Sequence, residues 1–142
     1  MSAELTAQPI NVALLLERAQ NPSSGAVVLF LGTVRDLSEG RAVVGLDYDA
    51  YPSMAVAKLT EIVAAARQRW PLHHAEVVHR YGAMAIGDVA VALVTSSAHR
   101  AEAFEAARWM MDEIKRTAPI WKREQWADGG AEWVHPGAEA TT

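Results

Sequence analysis

Two segments with helical periodicity, each delimited by proline, constrain the fold of this chain more than any other feature. Pro52 suits the first turn of a helix that is predicted to run to about Arg69. A second helix is predicted over about 98–116, and Pro119 stops it because proline disfavours helical angles in the residue before it. The apolar stripes that these helices are expected to bury are Ala55, Leu59, Ile62, Val63 and Ala66 in the first, and Phe104, Ala107, Met111 and Ile114 in the second.

Segments typical of β-strands surround the two helices, and a short helix capped by Asn11 precedes them over about 12–20. The extended segments are expected at 26–34, 43–51, 76–81, 89–95 and 120–126, with a last strand at 132–135. The order α-β-β-α-β-β-α-β predicts an α+β domain with a largely antiparallel sheet. We expect the domain to cover 10–136, with flexible ends at 1–9 and 137–142.

The composition excludes several classes of function. The chain of 142 residues has no cysteine, which removes disulfides, thiolate nucleophiles and cysteine-based metal sites. Its net charge of -4 argues against general binding of nucleic acid, where a basic face supplies most of the affinity. No apolar run is long enough to span a membrane and no signal peptide is visible, so a cytoplasmic protein without membrane contact is the expectation.

The common catalytic and metal-binding patterns are also missing from the sequence. No serine lies in a Gly-x-Ser-x-Gly turn, and the histidines lack the spacing of known metal sites. Asp47 and Asp49 share one face of a strand and could hold a hard cation. A pair of carboxylates is more typical of a solvated surface, so no metal site is expected.

Three cationic features remain as candidates for chemistry. Arg35 closes a buried strand, where its planar group suits a phosphate, or else an ion pair with Asp36 or Glu39. His99 and Arg100 begin the second helix, where unpaired N–H groups favour an anion and disfavour cations. A bound anion would offset the unfavourable placement of these cationic side chains at the start of a helix. The alternative is that they are simply the exposed start of an amphipathic helix.

The third feature is the cluster Lys115, Arg116, Lys122 and Arg123, which holds four of the 13 basic residues. Lysines beside apolar residues suit proton transfer or nucleophilic attack. A solvated patch is the alternative, and Lys115 also complements the helix dipole. Arg100 and Lys115 are 15 positions apart on one helix, or roughly 22 Å. They cannot touch one small substrate within a single chain, which predicts a symmetric homodimer with shared sites.

The sequence resembles the large-subunit family of molybdopterin synthase over about residues 10–135. The segments that carry the resemblance are Phe30-Leu-Gly-Thr-Val-Arg35, Leu46-Asp-Tyr-Asp-Ala-Tyr-Pro-Ser-Met54, His79-Arg-Tyr-Gly82, Gly87-Asp88, Ser97-Ala-His-Arg100 with Phe104-Glu105-Ala106, and Lys115-Arg-Thr-Ala-Pro-Ile-Trp-Lys-Arg-Glu124. The resemblance implies an α/β-hammerhead type of α+β fold. It also implies a homodimer within a heterotetramer, flanked by a small ubiquitin-like sulfur carrier whose Gly-Gly tail ends in a thiocarboxylate. The implied reaction installs a dithiolene on cyclic pyranopterin monophosphate to give molybdopterin, with no cofactor held by the enzyme itself.

The resemblance also implies roles for individual residues. Lys115 and Lys122 would be the catalytic lysines, and Arg35, His99 and Arg100 would bind the substrate. The remaining implied residues are Thr33, Val34, Arg123 and Glu124 along the pocket, and Phe30 and Met111 as its apolar walls. Thr33 stands where other members can carry lysine, so its side chain is not expected to be essential. A non-catalytic docking module for a ubiquitin-like partner is the main alternative, and an anion-binding structural subunit is a third.

Overall fold

The computed structural model describes residues 3–135, which form three helices and nine strands. In chain order these are β1 (Ala3–Thr6), α1 (Val12–Arg18), β2 (Ala26–Thr33), β3 (Leu37–Ser38), β4 (Arg41–Ala50), α2 (Pro52–Arg69), β5 (Leu72–Arg80), β6 (Gly82–Met84), β7 (Val89–Ser97), α3 (Arg100–Thr117), β8 (Ile120–Trp126) and β9 (Ala131–Val134). The predicted α+β class with a largely antiparallel sheet is confirmed. The predicted order omitted three short strands, β1, β3 and β6. It gave one strand after α3, although both extended segments expected there, 120–126 and 132–135, form as β8 and β9.

The N-terminal segment differs from the prediction, which described residues 1–9 as a flexible end. Residues 3–6 form β1, which pairs in parallel with β5 in the register Ala3 to Val77. Ala3 is only 2% exposed because this register turns it toward the main core. Four residues are too few to show a strand period, which explains the omission. The predicted tail at 137–142 lies outside the described residues.

The first sheet has the order β1-β5-β7-β2 and provides the centre of the core. Its strand β7 is buried along nearly its whole length because helices cover both faces. Leu93 packs toward α2 and α3, while the alternate residues Ala92 and Val94 pack with Leu15 of α1. This alternation follows from the two-residue period of a strand.

The two long helices bury one face each against this sheet. The buried residues of α2 are the five that the sequence predicted. In α3 the predicted Ala107, Met111 and Ile114 are buried, but Phe104 is 60% exposed. The buried stripe of α3 instead includes Ala103, whose carbonyl accepts a hydrogen bond from Thr95 of β7 at 2.8 Å. No helix within residues 3–135 is long and apolar enough to cross a membrane.

The second sheet has the order β3-β4-β8-β9, with β6 also paired to β4. The antiparallel register of β4 and β8 sets Tyr48 opposite Lys122 and Leu46 opposite Glu124. Ile120 belongs to the main core, so the face of β8 that carries Lys122 and Glu124 is the inward face.

Candidate active site

A groove between β2 and α3 holds the first set of predicted site residues. It has a volume of about 410 Å³, and Phe30, Met111 and Lys115 all line it. Phe104, Met111 and Lys115 recur at helical spacing, so they form one stripe along α3 that faces the groove. This placement explains why Phe104 is exposed: it belongs to the groove and not to the core. The groove therefore combines apolar walls with an exposed lysine near one end of a helix.

Lys122 and Glu124 form the second set, on the inward face of β8. The Lys122 Nζ lies 3.5 Å from Glu124 Oε1, and the two side chains are only 16% and 12% exposed. Ser38 of β3 donates a hydrogen bond from Oγ to the same carboxylate oxygen at 3.1 Å. The pair is therefore a half-buried lysine and carboxylate that are both shielded from bulk water.

Arg123 projects to the opposite, outward face of β8, away from Lys122. Its guanidinium donates to Asp47 Oδ2 at 3.2 Å and its Cζ lies 4.8 Å above the ring of Trp133. Gln125 donates to the same Asp47 oxygen at 2.8 Å. Lys122 and Arg123 therefore do not share a surface, although the family resemblance implied both for one pocket.

Asp47 and Asp49, the pair of carboxylates that could have held a cation, are both engaged in hydrogen bonds. Asp47 is engaged by Arg123 and Gln125, and Asp49 Oδ1 accepts the N–H of Ala50. Across residues 3–135, no group of three histidine or acidic side chains is arranged to hold a metal ion.

Three predicted site residues, Thr33, Val34 and Arg35, lie at the end of β2 and differ in how far they are exposed. Thr33 and Arg35 are exposed, whereas Val34 is buried with Leu46, Met84 and their neighbours in a small core. Its backbone N–H and carbonyl are bonded to the turn at Gly87 and Asp88. The side chain of Val34 therefore lies in the core and does not line an open pocket. Arg35 makes no hydrogen bond or ion pair with any residue in the described range, so the alternative of an ion pair with Asp36 or Glu39 is not seen there.

The start of α3 carries the last predicted pair. His99 is the residue that caps the helix, with extended backbone angles and no capping hydrogen bond from its side chain, and Arg100 is the first helical residue. Both are exposed. Because Arg100 and Lys115 belong to the same helix, roughly 22 Å separates the two ends. The structure thus brings Phe30, Met111 and Lys115 together, and holds His99 and Arg100 apart from them.

Three polar residues were not among the site residues predicted from the sequence: Ser38, which contacts Glu124, Tyr48, which lies opposite Lys122 on β4, and His79, which contacts Tyr48. The Tyr48 ring lies 5.0 Å from that of His79 in an edge-to-face arrangement. Burial lowers the pKa of His79 to about 4, although a hydrogen bond to the Arg80 carbonyl opposes the shift. The imidazole is therefore neutral at physiological pH. The alternation of β4 could have indicated Tyr48, but nothing local in the sequence marks Ser38.

Comparison with known proteins agrees with this arrangement. The family model described as MoaE protein matches residues 5–117. A molybdopterin synthase catalytic subunit from Halalkalibacterium halodurans is 42% identical over 135 residues, covering 95% of this chain and 86% of the relative. The Bacillus subtilis protein of the same name is 38% identical over 138 residues, covering 97% and 87% of the two chains.

Solved structures give the same result. Molybdopterin synthase from Staphylococcus aureus superposes with a TM-score of 0.88 at 37% identity, covering 94% of this chain and 97% of that one. A complex of subunits 1 and 2 of molybdopterin-converting factor from Helicobacter pylori matches with a TM-score of 0.75, covering 95% and 90%. At 21% identity, that second match shows a common fold alone. The resemblance found in the sequence is confirmed, and with it the enzyme rather than the docking module. The chain belongs to the MoaE protein family, whose relatives are catalytic subunits of molybdopterin synthase.

Proposed function

We propose that this chain transfers sulfur from the C-terminal thiocarboxylate of a small ubiquitin-like carrier to cyclic pyranopterin monophosphate, and so forms the dithiolene of molybdopterin. The single observation that carries the proposal is the groove between β2 and α3, where Phe30, Met111 and Lys115 meet. The proposal includes the cytoplasmic location expected from the sequence. It also treats the pterin as substrate, with no cofactor held by this chain.

The shape of the groove suits an extended polypeptide tail. Its walls include Phe30, Phe104 and Met111, and it stays open to solvent along α3. A Gly-Gly tail has no side chains, so it can enter a narrow apolar channel that would exclude other sequences. The ammonium group of Lys115 would then lie near the negative thiocarboxylate, where charge pairing favours binding. The relatives at 42% and 38% identity are named catalytic subunits of molybdopterin synthase, a name that supports a further subunit as partner for this chain.

The chemistry requires a proton source close to the reacting atoms. The thiocarboxylate sulfur forms a bond to a substrate carbon, and the oxygen that it displaces leaves with a proton. Water then cleaves the bond between the acyl carbon and sulfur, so the carrier departs as a carboxylate and the sulfur stays on the pterin. The same steps repeat with a second thiocarboxylated carrier, because a dithiolene contains two sulfur atoms. In this proposal, Lys115 and Lys122 donate protons or stabilise the negative charge.

The cationic end of α3 supports a site shared between two copies. His99 and Arg100 are exposed and roughly 22 Å from Lys115, too far to contact the same small molecule. A symmetric homodimer would bring the start of one α3 close to the end of the other. With one carrier on each copy, the complete enzyme would be a heterotetramer.

Reconstitution with thiocarboxylated carrier and cyclic pyranopterin monophosphate tests the proposal directly. The expected product is a dithiolene, and Lys115→Ala should lower its rate of formation at least about a hundredfold while carrier binding persists. Lys58→Ala is the matched control, because Lys58 lies on α2 and pairs with Glu61. Carrier binding without product from the wild-type chain would favour a docking module instead. Full turnover by the Lys115 variant would remove that lysine from the mechanism.

A mixing experiment tests the shared site. Homodimers carrying Lys115→Ala or Arg100→Ala should each be nearly inactive. After subunits exchange at random, hybrid dimers contain one intact site, so about a quarter of wild-type turnover should return. If both residues served one site within a single chain, every site would carry a substitution and no activity would return.

A further inference from the structure

A tight hairpin holds Ser38 in a buried position beside the candidate site. Ser38 pairs with Arg41 across a two-residue turn formed by Glu39 and Gly40. Both turn residues have positive φ, 50° and 78°, which is the geometry that matches the twist of paired strands. Ser38 is 5% exposed as a result, although it lies in a strand of only two residues.

The hydroxyl of Ser38 contacts the carboxylate that faces Lys122. Its Oγ lies 3.1 Å from Glu124 Oε1, and the same oxygen is 3.5 Å from Lys122 Nζ. The contact spans 86 residues of sequence and joins β3 to β8. Because Glu124 and Lys122 are both mostly shielded from water, a hydrogen bond to this carboxylate is stronger than it would be at the surface.

We propose that Ser38 is a positioning residue for sulfur transfer, which acts by holding Glu124 in the orientation that places the Lys122 ammonium group. A glutamate side chain has three rotatable bonds, so without a second partner its carboxylate can turn away from the lysine. Ser38 also follows Arg35 by three positions, so the same hydrogen bond ties the segment that carries Arg35 to the strand that carries Lys122. This inference rests on the proposed function of the site.

The hairpin itself does not depend on the Ser38 hydroxyl. The Val43 N–H donates to the Asp36 carbonyl at 2.8 Å, and the Ala127 N–H donates to the Ala42 carbonyl at 2.9 Å. These backbone bonds remain when the hydroxyl is removed. Ser38→Ala should therefore fold normally and alter only the orientation of Glu124.

The test measures dithiolene formation by the reconstituted enzyme. Ser38→Ala should lower kcat about tenfold with little change in the KM for the carrier, which is the loss expected for a hydrogen bond to a charged group. Ser24→Ala is the matched control, since the Ser24 hydroxyl contacts His73 at the surface and should leave turnover unchanged. An unaltered kcat for Ser38→Ala would overturn the inference while leaving the proposed function intact.

A double-mutant cycle separates positioning from a general structural role. If Ser38 acts through Glu124, then Ser38→Ala combined with Glu124→Ala should be no slower than Glu124→Ala alone. Rate losses that multiply would show that Ser38 acts by another route and would overturn the inference. Absence of dithiolene from the wild-type enzyme would instead count against the proposed function.

Discussion

A buried carboxylate with two side-chain partners offers a test of how this fold is held together. Glu76 of β5 is 1% exposed, and Arg18, in the last turn of α1, donates to both of its oxygens at 3.2 and 2.8 Å. His74 lies 3.0 Å from the same carboxylate. The contact between Arg18 and Glu76 joins residues 58 positions apart and fixes the short helix α1 to the first sheet.

Arg18→Met keeps most of the aliphatic stem and removes both hydrogen bonds to Glu76. Removing one partner from a buried ion pair costs about 3–5 kcal/mol, whereas an exposed pair contributes about 0–1 kcal/mol. Arg18 is 40% exposed and the Glu76 side chain only 2%, so the pair lies between these limits. We therefore expect a loss of about 2–3 kcal/mol in the free energy of unfolding.

Urea unfolding at pH 7.5 measures this loss, with Lys58→Met as the control for the more exposed pair with Glu61. The control should change stability by less than about 1 kcal/mol. Arg18→Met combined with Glu76→Met should recover much of the loss, because the stranded carboxylate is then gone. A single Arg18 variant within about 0.5 kcal/mol of wild type would refute the reasoning, as would a double variant that is less stable than the single one.

Two further changes probe the core. The pKa of His79 is lowered from 6.5 to about 4 by burial, so its contribution to stability is complete above pH 6.5 and is lost as the pH falls toward 4. Wild type should lose about 2 kcal/mol between pH 8 and pH 5 from this group, and His79→Gln should remove that part of the dependence in urea unfolding. Met110 is fully buried on α3, so Met110→Ala should cost about 2–5 kcal/mol, whereas the exposed Met54→Ala should cost almost nothing in the same assay.

Local pattern was sufficient to predict the long elements of this fold. The stripe of α2 and the bounds of α3 follow from a period of 3.6 residues and from the prolines that flank them. The strands β1, β3 and β6 have four residues or fewer, and so short a segment shows no period. Their formation depends on pairing with distant strands. Phe104 illustrates a further limit: periodicity places it on an apolar face, but only the packing of β2 leaves that face open.

Some features of the candidate site could likewise be predicted from the sequence, and others could not. The resemblance grouped Phe30, Met111 and Lys115, and the groove joins them. Strand alternation alone could have separated Lys122 from Arg123, since neighbouring residues of a strand point to opposite faces. The link from Ser38 to Glu124 could not have been predicted, because 86 residues intervene and each partner lies in a different strand.

The length of α3 bears on how two copies of the chain would be arranged in the proposed dimer. The helix runs from Arg100 to Thr117, with cationic side chains at both ends and the groove along one side. In the proposed dimer, the start of one copy would approach the Lys115 end of the other, and so would gather positive charges that repel one another. A phosphate group between them would replace that repulsion with attraction. The substrate would then complete the site electrostatically, and its phosphate should stabilise the pairing of the two copies as well as orient the pterin for sulfur transfer.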